Sequence, residues 1–433
     1  MIPVLPADII PPKGSAQPFV QAKHPRNFLV TGATGFLGAF IVAQLIDRVL
    51  TLDGVQPDST ALDPLKVTCL ARAKTNDAAL ARVITNLQHH SCWNPQYEPY
   101  LVGIAGDISR AQWGLADEDW TSLATSVDAI VHNGAVVHFL APYHKIAPTN
   151  VDGTIWALRL AVAGNKLKPV HYVSSGTVLF SPHQFVTLLS RGEIVREDDP
   201  LDPATTVLCT SYGETKWVAE KRCAQAAALG VPVTVVRAAW ISGSSKTGTV
   251  TDSSSLLFHL IKACIEIGAV PETDEKVGLV AMTPVDYVAE LVAALTLMDA
   301  AQIKDMPQLR TEPAGTWARK WNLAVLSWDQ WCARNVYAIR TQGRGHPLAP
   351  LRNQLLGWMQ RYLLSIPDWS TMQTNMVMRA WREQLLAANV VEVPTVLATP
   401  ADELMPLYLA DLVVKGFLPA PKAKGTQNLR AKL

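Results

Sequence analysis

The stretch Phe28-Leu-Val-Thr-Gly-Ala-Thr-Gly-Phe-Leu-Gly38 decides the fold of this 433-residue chain. A short apolar run leads into three glycines, Gly32, Gly35 and Gly38, and then into a helix-favouring segment that begins at Phe36. Strand, GxxGxxG loop and helix in that order form the phosphate-binding turn of a dinucleotide-binding unit. Gly32 permits the tight turn, Gly35 lets backbone approach a pyrophosphate, Gly38 lets helix pack on strand, and the helix N-terminus faces the phosphate charge. Thr34, Phe36 and Leu37 lie in the same turn and join the expected cofactor contacts.

Outward from this loop, apolar runs recur at 28–30, 67–70, 101–104, 129–131, 170–173 and 233–236, with helical patterns at 36–50, 78–89, 144–163 and 212–229. Strands alternating with helices predict a doubly wound α/β fold with a parallel, Rossmann-type sheet. After Gly243 the alternation breaks up. Residues 244–280 with 301–421 read as a smaller, mostly helical domain for substrate or carrier. Residues 281–300 return to the first domain, which begins at 26. Residues 1–25, with six prolines, read as a linker, and 422–433 as a flexible tail.

The chain is 49% hydrophobic and only 17% charged, so it has ample material for a core. Its net charge of +1 argues against nucleic-acid binding, which needs a basic surplus. The balance is a sum of unlike halves: residues 1–300 carry 22 basic and 28 acidic side chains, residues 301–433 carry 16 and 9. Ten of the basic residues lie within 310–382 and read either as a solvated face or as a docking surface for an acidic partner. Six cysteines without a CxxC pair suggest buried thiols in a reducing compartment. No apolar run is long enough to span a bilayer, and a cytoplasmic protein is expected, with no metal site.

The second strand ends Cys69-Leu-Ala-Arg72-Ala-Lys74, without the acidic residue that binds an adenosine ribose in NAD enzymes. A guanidinium at Arg72 suits a 2′-phosphate, and Arg82 stands ready to close on the same group, which favours NADPH. The glycine spacing resembles the extended branch of the short-chain dehydrogenase/reductase superfamily. That resemblance implies cofactor contacts from Gly106-Asp107-Ile108 after the third strand and Asn133-Gly134-Ala135 after the fourth, with Asn150 on the following helix.

Tyr212 and Lys216 stand four apart in Ser211-Tyr-Gly-Glu-Thr-Lys216, on one face of a helix. An ammonium beside a phenol favours phenolate and lowers its pKa from about 10 toward neutrality, so this pair can exchange a proton. The segment Val170-His-Tyr-Val-Ser-Ser-Gly-Thr177 ends the fifth strand with hydroxyls at the edge where parallel sheets bind ligands. By register with the superfamily, Ser175 is the hydroxyl that meets the substrate carbonyl, with Ser174 its close competitor. Residues 196–200, between Ser175 and Tyr212, are a candidate lid. No GxSxG elbow is present, Cys209 lacks a base, and His138 follows the Asn133 turn as a candidate pocket residue.

The longer run Val131-His-Asn-Gly-Ala-Val-Val-His-Phe-Leu-Ala-Pro-Tyr143, with Asn150-Val-Asp-Gly-Thr154, resembles the terminal thioester reductase domains of nonribosomal peptide and polyketide synthases, carboxylic acid reductases and aminoadipate reductases. Residues 267–271, 283–287 and 407–421 agree, so the resemblance covers about 26–421. It implies release of an acyl or peptidyl group, held as a thioester on a carrier protein's phosphopantetheine, by hydride from NADPH. The product is an aldehyde, or an alcohol after a second reduction. Ser175, Tyr212 and Lys216 are the implied catalytic residues, and an isolated domain is expected to be monomeric. Arg237-Ala-Ala239 departs from the family's Arg-Pro-Gly. Alternatives are a redox-independent Dieckmann-type release domain, a sugar-nucleotide epimerase or dehydrogenase, and a cofactor-sensing scaffold.

Overall fold

The computed structural model describes residues 4–12, 25–55, 64–179, 208, 210–251, 255–271, 282–298, 324–326, 328–342, 346–351, 372–387 and 401–418. Its centre is a six-stranded parallel sheet: β1 (Asn27–Thr31), β2 (Lys66–Ala71), β3 (Leu101–Ala105), β4 (Ala129–His132), β5 (Val170–Val173) and β6 (Val233–Val236), in the order β3-β2-β1-β4-β5-β6. Val30 stands opposite Cys69 on one side and Val131 on the other. The order reverses between β1 and β4. That switch point opens a crevice at the carboxyl ends of the strands, where such sheets bind ligands.

Alternation along each strand sends successive side chains to two cores. Phe28, Val30, Val67, Cys69, Ala129 and Val131 face one, while Leu29, Leu70, Ile130, Val170 and Tyr172 face the other. Helices α1 (Phe36–Val55), α2 (Asn76–His89) and, from much later in the chain, α8 (Val285–Leu297) cover the first core. Helices α3 (Asp117–Ser126), α5 (Gly153–Val162) and α6 (Ser211–Ala228) cover the second.

The helix expected at 144–163 is divided into α4 (Tyr143–Ala147), a π-helical turn at Pro148–Asp152, and α5. Pro148 has no N–H to continue the ladder, and the chain widens by one residue at the position of Asn150. Helix α3, ten residues with three acidic side chains in its first turn, is too short and polar to stand out by periodicity.

Later elements include α7 (Leu256–Ile267), α9 (Trp328–Gln342), α10 (Met372–Ala387) and α11 (Ala401–Val414). They are joined by two short parallel pairs, β7 (Trp240–Ile241) with β9 (Met282–Thr283) and β8 (Ala269–Pro271) with β10 (Ala324–Leu326). Among the described residues after Gly243, short strands thus accompany the helices. Residues on α7 and α11, Phe258, Ile261, Met405 and Tyr408, form a separate core with Val250.

Helix α10, expected in the smaller domain, packs instead on the sheet's first core. Met378, Trp381 and Leu385 are buried there, and the Trp381 indole donates to Glu290 on α8 at 2.5 Å. Arg48 on α1 grips the same carboxylate with two hydrogen bonds of 2.9 and 3.0 Å. The described part of the proline-rich start, 4–12, is likewise held on the body: Ile9 is fully buried in the second core and Asp8 pairs with Arg159. Among the described residues no helix is long and apolar enough to cross a membrane.

Candidate active site

The glycine loop folds as its spacing predicts. Gly32 has φ +75°, a left-handed conformation open to glycine, and a Cβ there would meet the Gly134 nitrogen at 2.7 Å. A Cβ on Gly38 would lie 2.0 Å from the Gly32 oxygen, which is why α1 can start flush against β1. Asn86 on α2 donates to the carbonyls of Ala33 and Gly35, both at 3.0 Å, and pins the loop from behind. A lone Asn in a helix carries no local signal, so the sequence does not single this residue out.

Gly35 is exposed, Thr34 and Phe36 half-buried, and Leu37 buried in the first core. A Cβ at Gly35 would touch only the Gly32 oxygen, at 3.4 Å, so the space above the loop is open. The first turn of α1 has no acidic side chain to compete with an anion. This cradle fits the pyrophosphate of a dinucleotide.

The turns after β3 and β4 converge on the same crevice. The Gly134 N–H donates to Thr31 Oγ1 at 3.0 Å, and the Asn133 amide donates to the Gly32 carbonyl at 3.3 Å. Ala135 follows, half-buried. A Cβ on Gly134 would lie 2.8 Å from Ile108 Cδ1, so the two turns are in contact. Asp107 accepts from the Ser109 N–H at 3.0 Å and its hydroxyl at 2.7 Å. Burial pushes the Asp107 carboxyl up, but those bonds and the charges of Arg72 and Arg110 outweigh it and hold it below its ordinary value. Arg72 is exposed at the end of β2, and the Arg82 guanidinium reaches back to donate to the Arg72 carbonyl. The Arg82 side chain thus lies against the Arg72 backbone.

Tyr212 and Lys216 lie in the first turns of α6, whose N-terminus is capped by Thr210 accepting from the Gly213 N–H at 3.0 Å. Tyr212 is buried, and Ser175, near enough to favour its ionised form, has its Oγ accepting from the Thr177 N–H at 3.3 Å. Lys216 Nζ donates to the Val173 carbonyl at 2.7 Å and sits 4.3 Å from the centre of the Tyr172 ring. Burial pushes the lysine down to about 7, partly offset by Glu220. Burial likewise pushes the Tyr212 phenol up to about 12, against the opposing influence of Ser175. The expectation that the ammonium would bring this phenol toward neutrality is thus corrected: withdrawal from water dominates, and the phenol keeps its proton at neutral pH.

Asn150, in the π-helical turn, ties these parts together. Its Oδ1 accepts from the Val136 N–H at 2.8 Å, and its Nδ2 donates to the Val136 carbonyl at 3.1 Å and to Thr215 Oγ1 at 3.0 Å. His132 lies beneath, between the Trp113 and Tyr172 rings, bonded to Thr31 and Thr154. Burial pushes its imidazole down to about 3, so it is a neutral strut.

Ser174, the competitor of Ser175, turns away from Tyr212 and donates to Glu220 Oε1 at 2.5 Å. Glu220 is paired with Arg237 at 3.0 Å, which gives the departing Arg-Ala-Ala segment a structural partner. Neither residue stands out in the sequence, although Tyr212, Lys216 and Glu220 recur every fourth residue on one helix face. His138 caps its own loop, its Nδ1 accepting from the N–H groups of Leu140 and Ala141 at 3.2 and 2.9 Å, while Phe139 places its ring edge toward Tyr212. Cys209, the 196–200 lid candidate and six of the ten basic residues within 310–382 lie outside the described residues.

Residues 30–292 match a family described as Male sterility protein, an NAD-binding domain. The chain is 31% identical over 428 residues to the L-2-aminoadipate reductase large subunit of Penicillium chrysogenum, an alignment that covers 94% of this chain and 28% of that protein. It is 29% identical over 441 residues to the L-2-aminoadipate reductase of Schizosaccharomyces pombe, covering 98% of this chain and 29% of that one. It spans under a third of the length of these curated relatives. Its structure is similar to the terminal R domain of the myxalamid PKS-NRPS pathway, with a TM-score of 0.75 at 30% identity over 97% of this chain and 98% of that one. On its glycine cradle, its sheet order and this likeness over almost the whole length, the chain belongs to the NAD-binding Male sterility protein family, among the terminal reductase domains of nonribosomal peptide and polyketide synthases.

Proposed function

We propose that this chain uses NADPH to reduce a thioester held on the phosphopantetheine arm of a carrier protein, releasing the acyl or peptidyl group as an aldehyde. The observation that carries the reading is the arrangement of the buried Tyr212 and, one helical turn on, Lys216, whose ammonium is bonded to the Val173 carbonyl two residues before Ser175.

The cradle from Gly32 to Gly38 would hold the pyrophosphate, with Asp107 and Ile108 at the adenine, Arg72 and Arg82 at the 2′-phosphate, and Asn133, Gly134 and Ala135 along the nicotinamide side. Bound there, the nicotinamide supplies a hydride. Ser175 and Tyr212 donate hydrogen bonds to the substrate carbonyl oxygen and stabilise the negative charge it gains as hydride reaches the carbon. Tyr212, protonated at neutral pH, passes its proton to that oxygen. Lys216 holds the nicotinamide ribose and supports the charge left on Tyr212. The carbon–sulfur bond then breaks: the electron pair leaves with sulfur, the hydroxyl proton returns to the Tyr212 phenolate as the carbonyl re-forms as the aldehyde, and the thiolate takes a proton from solvent to become the thiol. One hydride and one proton are consumed per thioester.

The partner is an acidic carrier domain, and the basic residues within 310–382 are its proposed landing surface. Among those described, Arg340 and Arg382 are exposed. The test is a panel of carrier-bound and simplified thioesters with NADPH, followed at 340 nm and by mass spectrometry of the products. Aldehyde or alcohol formed with matching NADPH loss supports the reading. A cyclised product without loss of absorbance defeats it in favour of Dieckmann-type release.

A further inference from the structure

The proposed reductase chemistry leaves one buried ionic cluster behind the site without a task. Two successive residues at the end of β5 are each held from α6. Val173 receives Lys216 through its carbonyl at 2.7 Å, and Ser174 donates to Glu220 at 2.5 Å, with Ser175 next in the chain. The gripping residues, Lys216 and Glu220, are four apart on one face of the helix, with Tyr212 four before Lys216. On the far side, Arg237 at the end of β6 meets the Glu220 carboxylate with contacts of 3.0, 3.1 and 3.3 Å. The Ser174 N–H donates to the Val236 carbonyl at 2.8 Å and the Gly176 N–H to the Ala238 carbonyl at 2.8 Å, so the end of β6 and the residues after it grip the same stretch.

We infer that Glu220 is a positioning residue for the reaction: it holds the end of β5 so that Ser175 meets Tyr212, and it places a fixed negative charge behind the Lys216 ammonium, with Arg237 setting how much of that charge the ammonium feels. This rests on the reductase reading for the task of Lys216, and on geometry for the rest.

Among the described residues, the electrostatics around Lys216 leave Glu220 as the chief counter-charge. From α6 come Glu220 and the Cys223 thiol, which burial holds protonated. From β5 come the Val173 carbonyl and the Tyr172 ring, whose hydroxyl burial holds neutral. His132 on β4 is neutral, as is Tyr212 one turn before. From β6, Arg237 acts through the shared carboxylate. In low dielectric a charge one helical turn away shifts a neighbour's pKa by about one unit or more. A glutamine at 220 retains an acceptor for Ser174 but removes the carboxylate charge that Arg237 meets and that faces Lys216. A glutamine at 237 does the opposite and leaves the carboxylate to Lys216 alone.

Two variants therefore move one property in opposite directions. NADPH affinity, read by quenching of tryptophan fluorescence across pH, needs no thioester. It holds while Lys216 is an ammonium and falls as that group loses its proton. Glu220→Gln should move the fall to lower pH by about one unit, Arg237→Gln should move it to higher pH, and the double variant should return it toward the original position. A purely structural role predicts losses of the same kind in both, with the midpoint of the fall unmoved. Unmoved midpoints, or shifts of the same sign, overturn the inference. Where a single variant folds poorly by its melting temperature, the double variant and the other single still give the sign. If the shifts are opposed and no thioester is reduced by the unaltered protein, the charge assignment stands and the reductase reading alone fails.

Discussion

Lys216 Nζ lies 2.7 Å from the carbonyl oxygen of Val173. A side chain on α6 thereby closes the end of a strand two residues before Ser175 and ties the start of α6 to the sheet edge. The lysine pays for that place in desolvation, since burial pushes it down to about 7.

Removing the proposed proton donor should spare binding. Tyr212→Phe keeps the ring that packs against Phe139 and deletes the buried hydroxyl. Turnover of a thioester should fall by about 10²-fold or more, with NADPH affinity unchanged by fluorescence titration. Undiminished turnover would defeat Tyr212 as donor, whatever the substrate.

Cofactor choice should rest on the arginine pair. Arg72→Ala should weaken NADPH by roughly 10-fold or more, the scale of a lost charge-assisted bond, and leave NADH little affected. Arg82→Ala should act in the same direction, because its guanidinium is drawn to the Arg72 carbonyl. Equal losses for both nucleotides would remove the 2′-phosphate assignment.

Gly134→Ala should disturb the crevice without touching the catalytic side chains. Its Cβ would meet Ile108 Cδ1 at 2.8 Å and Thr31 Oγ1 at 3.1 Å. We expect about 1–3 kcal/mol of destabilisation by urea unfolding and weaker binding of both nucleotides. Unaltered stability and affinity would show that the two turns can part freely.

Stability should rise with pH above neutrality, and Lys216 sets the sign. In the unfolded chain it keeps its proton up to its ordinary value of 10.5; folded, it releases it near 7. Between those values the unfolded state binds more protons, so folding is favoured progressively as pH climbs. Lys168, which burial pushes down to about 8, contributes in the same direction over a narrower window. The gain in urea midpoint from pH 7 to pH 9 should shrink in Lys216→Met. A gain as large as that of the unaltered protein would mean that Lys216 is not the group responsible.

Carrier docking should be separable from chemistry. Charge reversal at Arg340, exposed on α9, together with Arg344 and Arg352, should raise the apparent Michaelis constant for a carrier-bound substrate and not for a small thioester. An equal effect on both substrates would refute the docking surface.

The sequence by itself determined the sheet, the cradle and the Tyr212–Lys216 pair, because each is written in short-range spacing. Short continuous apolar runs make strands buried on both faces, three glycines at fixed intervals make a loop that only small residues can close, and a separation of four puts two side chains on one helix face. Only the tertiary structure decided which groups stand behind them. Asn86 under the loop, Glu220 between Ser174 and Arg237, and Glu290 between Arg48 and Trp381 join residues 17 to 242 positions apart. No local pattern encodes such partners, since a buried charge is tolerated only where the fold brings its counter-charge to it. The protonation states were decided there too. Proximity in sequence suggested a phenol activated by its lysine, whereas burial, a property of the assembled core, keeps Tyr212 protonated and strips Lys216 of much of its hold on its own proton.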